Sequence, residues 1–145
     1  AIRCSGAASA VVQADADRVR QVLLNLALNA VEAMPEGGEL ELRVEPARRG
    51  VAVFIRDSGQ GISAQTSHRL FEPFQTTKAA GSGLGLVLSR RIAEKHGGSL
   101  QWLAQPPGEP GRGACFRLYL PALPPPAAQV DLASEGDKSE ADSAL

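Results

Sequence analysis

The segment Gln21 to Met34, QVLLNLALNAVEAM, constrains this chain most. It is a strongly apolar helix former, yet it carries asparagine at 25 and again at 29. At about 100° per residue, Arg18, Gln21, Asn25, Asn29 and Glu32 fall on one narrow stripe, and Leu23, Leu24, Ala27, Ala30, Val31 and Met34 are assigned to the opposite side. Asparagine forms helices worse than lysine or glutamate by roughly a few tenths of a kcal/mol, so an ordinary solvated face seldom uses it twice. Two readings follow. The stripe faces water, or its short neutral amides line a pocket where an amide oxygen can ligate a hard cation such as Mg²⁺.

A chain of 145 residues, 43% hydrophobic, can bury one core and is most simply one domain. Its 15 basic and 16 acidic residues leave a formal charge of −1, which gives no support to a nucleic-acid or anionic-membrane partner held by bulk electrostatics. No apolar run reaches the roughly 18 residues of a membrane span, and the start Ala1-Ile2-Arg3-Cys4 lacks a signal-peptide pattern. The expectation is a soluble, cytoplasmic piece of a longer protein that could itself be membrane-anchored. Cys4 and Cys115 have neither CxxC spacing nor disulfide-scaffold density and are expected as reduced thiols.

Periodicity predicts a short strand near Val11 to Ala14, then a helix capped by Asp15 or Asp17 and running to about Met34. Glu39 to Pro46 alternates apolar with charged residues and pairs as a hairpin with Val51 to Arg56. A short helix is expected from Ala64 to Leu70, a longer one from Leu86 to His96 closed by Gly97-Gly98, and strands from Ser99 to Ala104 and Ala114 to Leu120. This order implies an α+β fold: a two-layer sandwich with a mixed, mostly antiparallel sheet and helices on one face. The division expected is a domain over residues 1–122 and a disordered Pro-rich, acidic tail or linker over 123–145.

Three further segments carry chemistry. DSGQG, Asp57 to Gly61, follows a strand; its glycines permit a tight turn, and Asp57 could accept a hydrogen bond from an exocyclic amino group. An Asx turn in a plain loop explains the same residues. GSGLG, Gly81 to Gly85, opens a helix and could expose backbone N–H groups to phosphate, or serve as flexible linker. It fits neither a Walker A loop nor a dinucleotide fingerprint. In LFEPFQTTK, Leu70 to Lys78, Phe71 and Phe74 look like core anchors, and Lys78 is either a phosphate contact or a solvated charge.

Taken in order, NLALNAVEAM, DSGQG, LFEPF and GSGLGL resemble the N, G1, F and G2 boxes of the ATP-binding catalytic domain of sensor histidine kinases, in the superfamily that includes DNA gyrase. The resemblance covers about residues 11–120, and the short TTK-containing stretch before Gly81 is most similar to the nitrogen-regulatory and oxygen-sensing subgroup. It implies a Bergerat-type fold and the cofactors ATP and Mg²⁺. Asn29 matches the metal ligand and Asn25 the amide at the phosphate end, where hydrolases of the superfamily carry a glutamate base. Asp57 matches the adenine-holding aspartate, with Gly59, Gly61 and Ile62 shaping that pocket. Thr77, Lys78, Gly81, Ser82, Gly83, Leu84, Gly85 and Leu86 match the phosphate-proximal segment. Asn25, Glu32 and Lys78 are the catalytic candidates, with Glu32 orienting a metal-bound water or capping the pocket edge.

The resemblance implies transfer of the γ-phosphoryl group to a histidine on a separate dimerisation domain, then to a response regulator. Neither His68 nor His96 lies in a phosphoacceptor motif; His96 is expected as a helix-terminal cation and His68 as a surface residue. The fragment is expected to be a monomer and the full protein a homodimer. An anti-sigma-factor-type serine kinase or another ATPase of the superfamily is the alternative.

Overall fold

The computed structural model describes residues 1–6, 11–75, 81–104 and 113–122. Asp15 caps the first long helix as its sequence demands: its carboxylate accepts from the N–H groups of Asp17 and Arg18 and satisfies donors that the first turn leaves open. That helix, α1, spans Ala16–Glu32. The alternating segment after it forms β2 (Leu40–Ala47) and β3 (Gly50–Asp57), paired antiparallel with Leu42 opposite Ile55 and Arg43 opposite Phe54. A single turn, α2 (Ala64–Ser67), is capped by Ser63. The second long helix, α3 (Gly85–Lys95), then leads into β4 (Ser99–Trp102), and β5 (Cys115–Pro121) completes the sheet.

The remaining strand, β1, is Ile2–Gly6 rather than the expected Val11 to Ala14, which belongs to no strand. Every β1 residue is exposed, so this edge strand carries no apolar alternation that a sequence could show. It runs parallel to β2 and is held by backbone pairing. The order is β1-β2-β3-β5-β4, with every other pairing antiparallel.

Strand alternation divides the sheet. Leu40, Ile55, Phe116, Leu118, Leu120 and Leu100 project toward α1 and α3 and form the core with Val22, Leu26, Ala30, Ile92 and Ala93. On the opposite face Arg43 stacks over Phe54 and Arg117 over Tyr119, with guanidinium carbons 5.0 and 5.6 Å from the ring centroids. Both long helices therefore cover one face, giving the two layers expected.

The buried stripe of α1 differs from the expected one. Val22, Leu26 and Ala30 are buried, whereas Leu24, Leu28 and Val31 are 51–58% exposed. Because α1 packs on both the sheet and α3, its buried face lies beside the asparagine stripe and not opposite it. Phe74 also departs from expectation: Phe71 packs against the core, but Phe74 is 74% exposed with φ +63°. His96 is not a free helix-terminal cation. The Asp15 N–H donates to its Nε2 at 3.0 Å and its Nδ1 lies 2.7 Å from the Ile92 carbonyl, so the ring accepts through Nε2 and ties the end of α3 to the start of α1. His68 is an exposed surface residue.

Candidate functional site

At the end of β3, Asp57 is 6% exposed, one of the few buried charged or polar side chains among the described residues. Its Oδ1 accepts from the N–H of Gly59 at 2.8 Å and from that of Ala114 at 3.2 Å. The backbone closes the same cup: the Asp57 N–H donates to the Ala114 carbonyl and the Gly113 N–H to the Asp57 carbonyl, each at 3.0 Å. Burial pushes the Asp57 carboxyl above its ordinary value, and the two amide donors pull it back. Among the described residues both bonds go to Oδ1, and Oδ2 is the carboxylate oxygen that can accept from a ligand.

Glycine is required in this cup on both sides. A Cβ at Gly113 would fall on Asp57 Oδ1, and one at Gly59 would lie 2.5 Å from the Ala33 carbonyl oxygen. The loop Asp57 to Gly61 thus abuts the end of α1, where the Ser58 hydroxyl also contacts Met34 Sδ at 3.4 Å. Gly61 turns the chain with φ +75°, and Ile62 packs back against the core.

The second cluster lies where α1 meets α3. Asn25 Nδ2 donates to the Gly85 carbonyl at 2.6 Å and to Ser89 Oγ at 3.0 Å. A Cβ at Gly85 would stand 2.8 Å from the Asn25 amide, so glycine there is what lets the amide sit against the start of α3. Leading into α3, Gly83 has φ +69°, its carbonyl accepts from the Phe74 N–H at 3.2 Å, and Ser82 Oγ accepts from the Leu84 N–H at 3.3 Å. Leu84 caps α3 without a side-chain hydrogen bond, Gly81 is exposed, and Leu86 packs against the core. Asn29, one turn after Asn25, is half-buried, and Glu32 is exposed at the end of α1. Thr77 and Lys78 lie outside the described residues.

The structure therefore gathers Asp57 and Gly59 at one end of α1, and Asn25 and Gly85 at its middle. Sequence reasoning missed Gly113, Ala114 and Ser89. Only the glycine standing before the final strand carried a visible signal.

Residues 14–124 match the family described as histidine kinase-, DNA gyrase B- and HSP90-like ATPase, and the chain belongs to that family. Its relatives place it in the sensor histidine kinase branch. It is 44% identical over 110 residues to the sensor histidine kinase ZraS of Escherichia coli (strain K12), covering 76% of this chain and 23% of that protein. It is 40% identical over 114 residues to the signal transduction histidine-protein kinase AtoS of the same organism, covering 78% and 18%. The chain thus spans less than a quarter of these relatives' length. Among solved structures, the catalytic domain of histidine kinase ThkA superposes with a TM-score of 0.71 at 34% identity, over 83% of this chain and 77% of that one. The mycobacterial sensor histidine kinase MprB does so with 0.71 at 29%, over 85% of each. The fold is the Bergerat sandwich of histidine kinase catalytic domains. No described helix is long and apolar enough to cross a membrane.

Proposed function

We propose that this domain binds Mg-ATP between the two clusters and donates its γ-phosphoryl group to a histidine outside this chain. The observation that carries the reading is the buried Asp57 carboxylate, held by two backbone amides with its second oxygen left to accept. Such an acceptor suits the exocyclic amino group of adenine, and Gly59 and Gly113 let the backbone close tightly around its other oxygen. From Ala33, beside the Asp57 loop, to Asn25 is eight residues of helix, a rise of about 12 Å, which matches the span from a purine to its phosphates. Full-length ShkA, 32% identical to this chain over 83% of it with a TM-score of 0.67, was solved in complex with AMPPNP.

At the phosphate end Asn25, Asn29 and the glycines from Gly81 to Gly85 offer amide and backbone groups, with Lys78 and Thr77 proposed as further phosphate contacts. Among the described residues no group of three or more His, Cys, Asp or Glu could hold a metal. The amide oxygens fit a cation that keeps its waters and leans on the nucleotide's phosphates, as Mg²⁺ does. Bound there, Mg²⁺ would neutralise phosphate charge; the chain's own residues position the nucleotide. Asn25 supplies no base to deprotonate water, which favours transfer over hydrolysis. In the transfer, the bond from the γ-phosphorus to its bridging oxygen breaks and one to an imidazole nitrogen forms, with ADP leaving.

The acceptor histidine is proposed to come from a dimerisation domain of the same full-length protein, which would be a homodimer passing the phosphoryl group to a response regulator. Exposed Leu24, Leu28 and Val31 on α1, with Leu84 and Leu88 at the start of α3, supply apolar surface for such docking. Calorimetric titration of this chain with AMPPNP, with and without Mg²⁺, tests the nucleotide site. Affinity in the micromolar to millimolar range, strengthened by Mg²⁺, is expected; no binding by the folded chain refutes it.

A further inference from the structure

Ser89 is buried in the middle of α3 at 1% exposure, and it belongs to none of the motifs that the sequence singles out. A hydroxyl at such a position is costly unless paired, and its partner is the Asn25 amide across the helix seam. We infer that Ser89 is a positioning residue of the nucleotide site: with the Gly85 carbonyl it takes both amide protons of Asn25, so that Asn25 presents only its Oδ1 to the ligand. This rests on the nucleotide reading proposed above.

The amide's orientation is dictated by chemistry. The Gly85 carbonyl can only accept, and it lies 2.6 Å from the Asn25 amide, so the group facing it is the NH₂. The second proton is directed to Ser89 Oγ at 3.0 Å. An asparagine so held cannot donate to a phosphate oxygen. Oδ1 and a phosphate oxygen are both acceptors and repel unless a cation, or water bound to one, stands between them. Asn25 therefore acts on the phosphates through the cation, and Ser89 keeps it in that orientation. Without the hydroxyl one amide proton is released, and the amide can rotate to donate to phosphate directly.

The test uses Ser89→Ala and Ser89→Thr in the whole 145-residue chain, with two readouts. In ¹⁵N–¹H spectra, identified by their loss in Asn25→Asp, the Asn25 side-chain NH₂ protons are protected in the parent. They exchange faster by about fivefold or more in Ser89→Ala. In AMPPNP titrations, the ratio of Kd without Mg²⁺ to Kd with it falls by about fivefold in Ser89→Ala, the worth of one lost hydrogen bond, and Ser89→Thr retains it. An unchanged ratio in Ser89→Ala overturns the inference, as does Asn25 NH₂ exchange as fast in the parent as in the variant. If Ser89→Thr melts as the parent does but loses the ratio, packing alone is at work and the inference also falls. Failure of the parent to bind AMPPNP overturns the nucleotide reading itself, a result distinct from all of these.

Discussion

At the end of α1 the key polar group is fixed by backbone N–H groups alone, whereas at its middle it is fixed by a backbone carbonyl and a side chain of another helix. Asp57 is gripped by the N–H groups of Gly59 and Ala114, which belong to strand ends and a tight turn. Asn25 is gripped by the Gly85 carbonyl and the Ser89 hydroxyl, and its position depends on how α3 packs. The proposed adenine end is thus tied to the sheet, and the proposed phosphate end to the packing of α3. A site that must hold a base constantly while phosphates arrive, react and leave benefits from that division.

The largest effect expected is at the rigid end. In Asp57→Asn the amide oxygen can replace Oδ1 as acceptor for the two backbone donors, which turns the NH₂ toward the ligand and sets donor against donor at the adenine amino group. AMPPNP affinity should fall about 100-fold, the value of a hydrogen bond to a charged group plus an unmet donor, while the fold remains. Titration with circular dichroism as a control checks this. Retained affinity would show that Asp57 does not contact the base.

Gly85→Ala probes the seam instead. Its Cβ would stand 2.8 Å from the Asn25 amide, and overpacking of this kind costs about 1–3 kcal/mol. Chemical denaturation should show that loss, together with a diminished response of AMPPNP affinity to Mg²⁺. If stability drops but the magnesium response is intact, the seam is only structural and the two ends do not differ in how they serve the ligand.

These two sites also show what a sequence can and cannot disclose. The Asp15 cap and the alternation of β2 and β3 are local patterns, and both were legible. Asp57, Gly59, Asn25 and Gly85 were legible as members of ordered motifs. Their grips were not: Ser89 is 64 residues from Asn25, and Ala114 is 57 from Asp57, so only the folded chain joins them. β1 escaped because an exposed edge strand needs no apolar period, and the apolar pair Val11-Val12 drew the prediction away from it. Leu24 and Val31 were assigned inward because periodicity gives a helix's apolar side but not the angle from which its neighbours cover it.

A pH titration sharpens the account of the rigid end. Because burial holds the folded Asp57 carboxyl above its unfolded value of 3.8, the folded chain binds its proton more readily than the unfolded chain does. The associated stability is fully present below that unfolded value and is lost as pH rises through the folded one. Asp57→Asn should therefore stabilise the chain relative to the parent near neutrality and lose that advantage in acid. Denaturation midpoints across the acidic range measure it; a difference between the two proteins that is independent of pH would mean that Asp57 titrates normally.

The smallest effect separates two ways of closing the helix pair at its far end. If His96 served as a cation at the terminus of α3, His96→Lys would preserve its contribution and His96→Leu would not. The structure makes His96 an acceptor for the Asp15 N–H, a task that neither lysine nor leucine can perform. Both variants should lose about 1 kcal/mol, the net worth of one hydrogen bond, with the magnesium response of AMPPNP binding unchanged because the tie lies away from Asn25 and Gly85. Equal losses in thermal denaturation support the acceptor role, and recovery by lysine alone would restore the helix-dipole account. A loss of the magnesium response in either variant would instead mean that the α1–α3 seam moves as one body, coupling its capped end to the site at its middle.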